Sequence, residues 1–157
     1  MSYDYELLLS LLPRHKIYWP KTTPKVALPQ WRWPPLKPYN GFTSDERIMN
    51  WQLGRMLLDA GMIRKPKTCD ICGEVKPLGF HSENYHCIRM DPFLCKDCHR
   101  ILHQRFRYPD KWLELVDRHQ QMVPTWYAII SVVPIDMAGY LKMISKRGYS
   151  NQKSVQQ

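Results

Sequence analysis

Apolar and polar positions divide the chain into stretches of unlike texture. Ile48, Trp51, Leu53, Met56, Leu57 and Ala60 recur at spacings that put them on one helical face. Thr43-Ser44-Asp45-Glu46 ahead of them offers a capping hydroxyl and first-turn acids, and Gly61 behind them offers a stop, so a helix is expected between the two. A shorter helix is expected to open at Pro109-Asp110, with Trp112, Leu113, Leu115 and Val116 as its apolar stripe and Pro124 closing it. Trp126 to Val133 is apolar and rich in β-branched residues, a pattern that leaves strand and helix both open. Asp136 to Lys146 reads as a last helix ended by Gly148, and the tail 149–157 has too little apolar content to stay in place and is expected to fray. Val75 to Phe80 and Met90 to Leu94 can pair as a short hairpin. The expected class is therefore α+β, a small finger flanked by helices.

The N-terminal region differs from all of this. After the apolar patch Leu7 to Leu12, seven prolines fall between Pro13 and Pro38, and no acid occurs between Glu6 and Asp45. Arg14, Lys16, Lys21, Lys25, Arg32 and Lys37 are interleaved there with Trp19, Trp31 and Trp33. Proline removes backbone donors and biases its neighbours toward extended conformations, so a largely non-helical arm is expected. It has two readings. The arm can lie on nucleic acid, with Arg32 and Lys37 on phosphates and Trp31 and Trp33 stacking on bases, or its tryptophans can pack on the protein's own core. The resulting segmentation is a Pro/Trp-rich basic arm (1–42), a helix on the core (43–64), a finger (65–108), a C-terminal helical and apolar segment (109–148) and a disordered tail (149–157).

Composition narrows the function classes. At 157 residues the chain is the size of one ordinary domain, which excludes a large multidomain enzyme. Lys and Arg number 23 against 14 Asp and Glu, a formal charge of +9 that favours a polyanionic partner such as nucleic acid. The longest apolar run, from Trp126 to Ile135, is about half of what a bilayer crossing needs, so no membrane association is expected. Acids near the N-terminus stand where a secretory signal would carry positive charge, which points to an intracellular protein, cytoplasmic or nucleoid-associated. In a reducing compartment the five cysteines read as metal ligands or core residues rather than disulfides.

Their spacing favours metal. Cys69-Asp70-Ile71-Cys72 and Cys95-Lys96-Asp97-Cys98 are two C-x-x-C pairs separated by 22 residues, and Gly73 lets the first turn curl. Four thiolates complete a tetrahedral shell around Zn2+ and leave no open position, so that site would be structural. Cys87 fits neither pair. On a helix His99 and His103, four residues apart, share a face and can present two imidazoles to one ion, while His81, Glu83 and His86 lie between the cysteine pairs.

Residues Cys69 to about Phe106 resemble the zinc-ribbon subclass of the HNH endonucleases, in which C-x-x-C, a histidine-bearing hairpin and a C-x-x-C-H-x-x-x-H helix follow one another. The resemblance implies a ββα-metal finger that hydrolyses phosphodiester bonds. It implies action on DNA by preference, with a histidine as general base and a divalent metal held by strand and helix residues. His81 fits as base, with Phe80 in the ligand place, or as ligand, with Ser82 in the base place. With His81 as base, Asp91 as a hard oxygen ligand can join His103 around a catalytic Mg2+, Mn2+ or Ni2+, with His99 a further candidate ligand and Glu83 a second available carboxylate. Arg100, Arg105 and Arg107 would then hold phosphates. The chain departs from the family in two places. Phe80-His81-Ser82 offers one imidazole where the family has two adjacent functional side chains, and Arg89, Met90 and Asp91 stand where a bracing asparagine is usual. The competing reading is therefore a degenerate finger that keeps zinc and the basic surface and binds nucleic acid or a partner protein, such as a phage or defence-system factor.

Overall fold

The computed structural model describes residues 2–121 and 123–153, with the backbone alone for 149–153. In chain order the elements are α1 (Tyr5–Leu11), α2 (Ser44–Asp59), β1 (Leu78–Phe80), β2 (Phe93–Cys95), α3 (Lys96–Gln104), α4 (Pro109–His119), α5 (Trp126–Ile129) and α6 (Met137–Lys153). This is a mixed helical fold around one small antiparallel hairpin. No helix among the described residues is long and apolar enough to cross a membrane.

The hairpin is the hub. Leu78 stands opposite Cys95, Gly79 opposite Leu94 and Phe80 opposite Phe93. The pairing is shorter than the apolar pattern predicts, because Pro77 and Pro92 have no N–H to give the ladder and bound it at each strand's entry. β2 is buried on both faces. Leu94 belongs to the larger core with Leu8, Leu102, Trp112, Trp126 and Met137, and Phe93 to a smaller one with Leu57, Met62 and Ile63. Such a strand reads as a continuous apolar run rather than an alternating one.

α2 starts where the capping residues require. The Thr43 side chain accepts from the Glu46 N–H at 3.2 Å while the Glu46 carboxylate accepts from the Thr43 N–H at 2.8 Å, and Gly61 follows the helix at φ +68°. α1 has a cap of its own, Asp4 accepting from the Leu7 N–H at 2.9 Å, and buries Leu8 completely. Residues 3–12 thus contribute to the core, with α1 packing on α5, and the proline-rich strap begins only after them. From Pro13 to Pro38 the strap has neither helix nor strand, as its prolines dictate. It is latched to the body at spaced points. The His15 N–H donates to the Arg89 carbonyl at 2.7 Å and the Tyr18 N–H to the Met62 carbonyl at 2.8 Å. On α2, the Gln52 amide donates to the Pro29 carbonyl at 2.8 Å and Arg47 to the Lys37 carbonyl.

Two C-terminal expectations are settled here. The ambiguous apolar run is a single helical turn, α5, followed by irregular chain. α6 runs through Gly148 to Lys153 instead of stopping, since Gly148 does not take the positive φ through which glycine ends a helix. The frayed tail expected from residue 149 is therefore helical to Lys153, and residues 154–157 lie outside the described residues.

Candidate metal centres

Two clusters of metal-ligating side chains meet at α3. Cys69, Cys72, Cys95 and Cys98 bring one sulfur each within 4.8 Å of one another and can hold a structural metal such as zinc. The Cys72 and Cys95 sulfurs are 3.9 Å apart, close to the edge of about 3.8 Å that a tetrahedron with Zn–S bonds near 2.3 Å requires. The local chain explains the arrangement. The Gly73 N–H donates to the Cys69 carbonyl at 2.9 Å and Gly73 takes φ +70°, curling the first pair into a turn. Asp70 clamps that turn to β2, its N–H donating to the Phe93 carbonyl at 2.9 Å and its carboxylate accepting from the Phe93 N–H at 2.7 Å. The Cys69 sulfur accepts from the Cys95 N–H at 3.3 Å. The Cys98 thiol and such backbone donors hold Cys69 far below the usual thiol range, while the same contact pushes Cys98 far above it, so without an ion the two sulfurs share one proton. Cys87 stays a free, half-buried thiol apart from the four.

The second cluster is His81, His99 and His103, again within 4.8 Å of one another. His81 follows β1, where its N–H donates to the Pro92 carbonyl at 2.9 Å, and the other two share one face of α3. His81 Nδ1 lies 3.3 Å from His99 Nε2, which lies 2.9 Å from His103 Nε2. Two nitrogens bound to one ion at about 2.0–2.1 Å, with angles between about 90° and 110°, stand about 2.9–3.4 Å apart, so both separations suit shared coordination. Burial pushes His99 down to about 4 and also lowers His81, keeping both neutral with lone pairs free. His103 is lowered by desolvation and by its two imidazole neighbours, although its exposed edge lets water relieve part of that penalty.

Behind His81 stands a buried polar network. His81 Nε2 lies 2.6 Å from Glu83 Oε1, which the Tyr39 hydroxyl also donates to. Glu83 Oε2 accepts from the Asn40 amide at 3.2 Å and faces Arg105 Nη2 at 3.6 Å. Glu83 and Arg105 are both fully buried. Burial alone would raise the Glu83 carboxyl, but the Arg105 guanidinium and the bonds from His81 and Tyr39 hold it below the usual carboxylate range. An ionised Glu83 accepts a proton-bearing Nε2, which leaves Nδ1 of His81 as the lone pair turned toward His99.

The remaining residues singled out from the sequence are scattered. Asp91 does not join the histidines: it is 2 % exposed and lines a separate small cavity with Phe93, Ile88 and Gly54 of α2. Burial raises its carboxyl well above the ordinary range, and one of its oxygens has no hydrogen-bond partner. Arg105, expected on a nucleic-acid surface, is instead the buried counter-ion of Glu83, because it falls on the inward face of the chain leaving α3 with Cys98 and Leu102. Arg100, Arg107, Arg32 and Lys37 are exposed. His86 is exposed and contacts Glu46 at 2.8 Å. Trp31 and Trp33 pack on Trp51 of α2, and Trp33 nevertheless stays 58 % exposed. The pocket in front of the histidines, about 140 Å3, is also lined by Arg47, Asn50 and Trp51, which sequence reasoning did not single out as site residues. Comparison with protein-family models, with curated proteins and with solved structures gives no match for this chain.

Proposed function

We propose that the chain is a metal-dependent nuclease of the HNH type, hydrolysing phosphodiester bonds in DNA. The observation that carries this reading is the convergence of three neutral imidazoles at shared-ligand spacing on the wall of a pocket, in a chain of charge +9. His81 through Nδ1 and His99 and His103 through Nε2 would hold a divalent cation. A cation bound there supplies positive charge for a phosphoryl oxygen and the leaving group. Of the two roles open to His81 in the sequence, this reading takes the second. His81 is a ligand rather than a base, since one nitrogen sits at ligand distance from His99 and the other is committed to Glu83. Asp91 takes no part.

Arg47 lines the same pocket, and its guanidinium supplies positive charge beside the histidines. Arg100 and Arg107 near α3, and Arg32 and Lys37 on the strap, supply exposed charge for neighbouring phosphates. The cysteine site fixes the start of α3 and with it the spacing of His99 and His103.

The test is plasmid nicking with Mg2+, Mn2+, Ni2+ and Zn2+, with His103→Ala and His81→Ala proteins purified in parallel. Cation-stimulated nicking by the wild type and none by either variant, with metal at the cysteines retained in all three, is expected. If the wild type cleaves neither single- nor double-stranded substrates, or the His81 variant cleaves normally, the catalytic reading fails and a nucleic-acid or protein-binding module takes its place.

A further inference from the structure

The histidine pocket is also lined by two tryptophans from distant parts of the chain, Trp31 from the strap and Trp51 from α2. The two rings meet edge to face, with centroids 5.2 Å apart and planes at 82°. Trp33 braces both, at 5.0 Å from Trp31 and 5.6 Å from Trp51. Trp31 is fixed further by its Nε1–H, which donates to the Pro34 carbonyl at 3.1 Å. The latches of Pro29 to Gln52 and Lys37 to Arg47 hold the strap on α2 on both sides of this cluster. The pocket that Trp31, Trp51 and the histidines line holds about 140 Å3.

That volume is well below the 300–1,000 Å3 of pockets that enclose a drug-sized ligand, and it suits one flat ring with its attached chain left outside. The surrounding charge says what chain that is. Six cations and no acid lie on the strap between Glu6 and Asp45, and Arg47 lines the pocket itself. We infer that the pocket between Trp31, Trp51 and the histidine cluster receives one unpaired nucleobase of a single-stranded nucleic acid and so sets the adjacent phosphate against the imidazoles. The inference rests on the nuclease reading for the meaning of that phosphate, but the base pocket itself is a binding site that can be tested without cleavage. A base inside a duplex must first leave its stack at a cost, so single strands, frayed ends and loops are the favoured substrates.

Binding of the full chain to labelled oligonucleotides, read by fluorescence anisotropy with no added divalent cation, separates the two ideas. The probes are a 12-nucleotide oligothymidylate, the same backbone carrying abasic sugars, and a 12-base-pair duplex. The oligothymidylate should bind about tenfold more tightly than the abasic strand, the scale of one base stacked on an aromatic ring, and more tightly than the duplex. Trp31→Ala should remove that advantage and leave abasic binding unchanged, while Trp31→Phe, which keeps a ring, should retain most of it. Trp51→Phe guards against loss of packing inside α2. Equal affinity for the base-bearing and abasic strands, or a Trp31→Ala protein that still tells them apart, overturns the inference. A protein that discriminates bases yet never cleaves DNA refutes the nuclease and keeps the pocket.

Discussion

Glu83→Gln is nearly isosteric and removes one negative charge from a place where water cannot replace it. Glu83 and Arg105 are both fully buried, and apart from Glu83 the Arg105 Nη2 has no partner. Breaking one side of such a pair leaves a buried charge uncompensated and costs about 3–5 kcal/mol. At about 2–4 °C per kcal/mol for a chain of this size, the melting temperature should fall by roughly 6–20 °C. The amide also ceases to hold the His81 Nε2–H as an ionised acceptor, and removing such a support for a ligand typically weakens metal binding by about 10- to 100-fold. Thermal and denaturant unfolding measure the first effect, and competition titration with a divalent cation the second. Adding Arg105→Met to the Glu83→Gln protein removes the orphaned charge and should recover much of the lost stability without restoring metal affinity. A single variant melting within about 2 °C of the wild type, or a double variant no more stable than the single one, refutes the argument that charge pairing holds this network together.

His81→Ala should weaken cation binding about as much as His103→Ala; unchanged affinity with lost cleavage would return His81 to the role of base. The wild type should carry one tightly held zinc at the cysteines, which Cys95→Ser should release along with the order of residues 65–108, as elemental analysis and circular dichroism would show. Thr43→Ala should cost about 1 kcal/mol through its lost cap. The Thr43 N–H and His86 hold Glu46 below its ordinary 4.5, so its contribution is complete above that pH and lost as pH falls through the lower folded value. Melts of wild type and Glu46→Gln should therefore differ at neutral pH and converge in acid. An added Cβ at Gly54 would lie 2.8 Å from Phe80 Cζ, so Gly54→Ala should cost about 1–3 kcal/mol. Gly79→Ala, with nothing within 4 Å, serves as the matched control near zero.

Local signals were legible in the sequence where the physics is local. The α2 cap, the proline entry to α4, the cysteine knuckles and the shared face of His99 and His103 all depend on residues a few positions apart. The pairing of His81 with Glu83 is also written at short range, since residues two apart on extended chain share a side. Arg105 was open to a correct reading too: with Cys98 and Leu102 it completes an i, i+4, i+7 face, which is buried. Its charge alone made it look like a surface contact. What the sequence did not show is assembled across distance. Tyr39 and Asn40 reach Glu83 from more than forty positions away, Arg47 and Trp51 reach the histidine pocket from α2, and Asp91 meets Gly54 and Leu58 of α2 at a separate cavity. Nothing in spacing or composition encodes those meetings.

Cys98 and His99 are neighbours in sequence, and the nine-residue helix α3 carries two donors of each cluster, Cys95 being its cap. An ion in either cluster would therefore bear on the backbone that carries the other, and such linkage is reciprocal: whatever factor a first ion added to the affinity of a second, the second would return to the first.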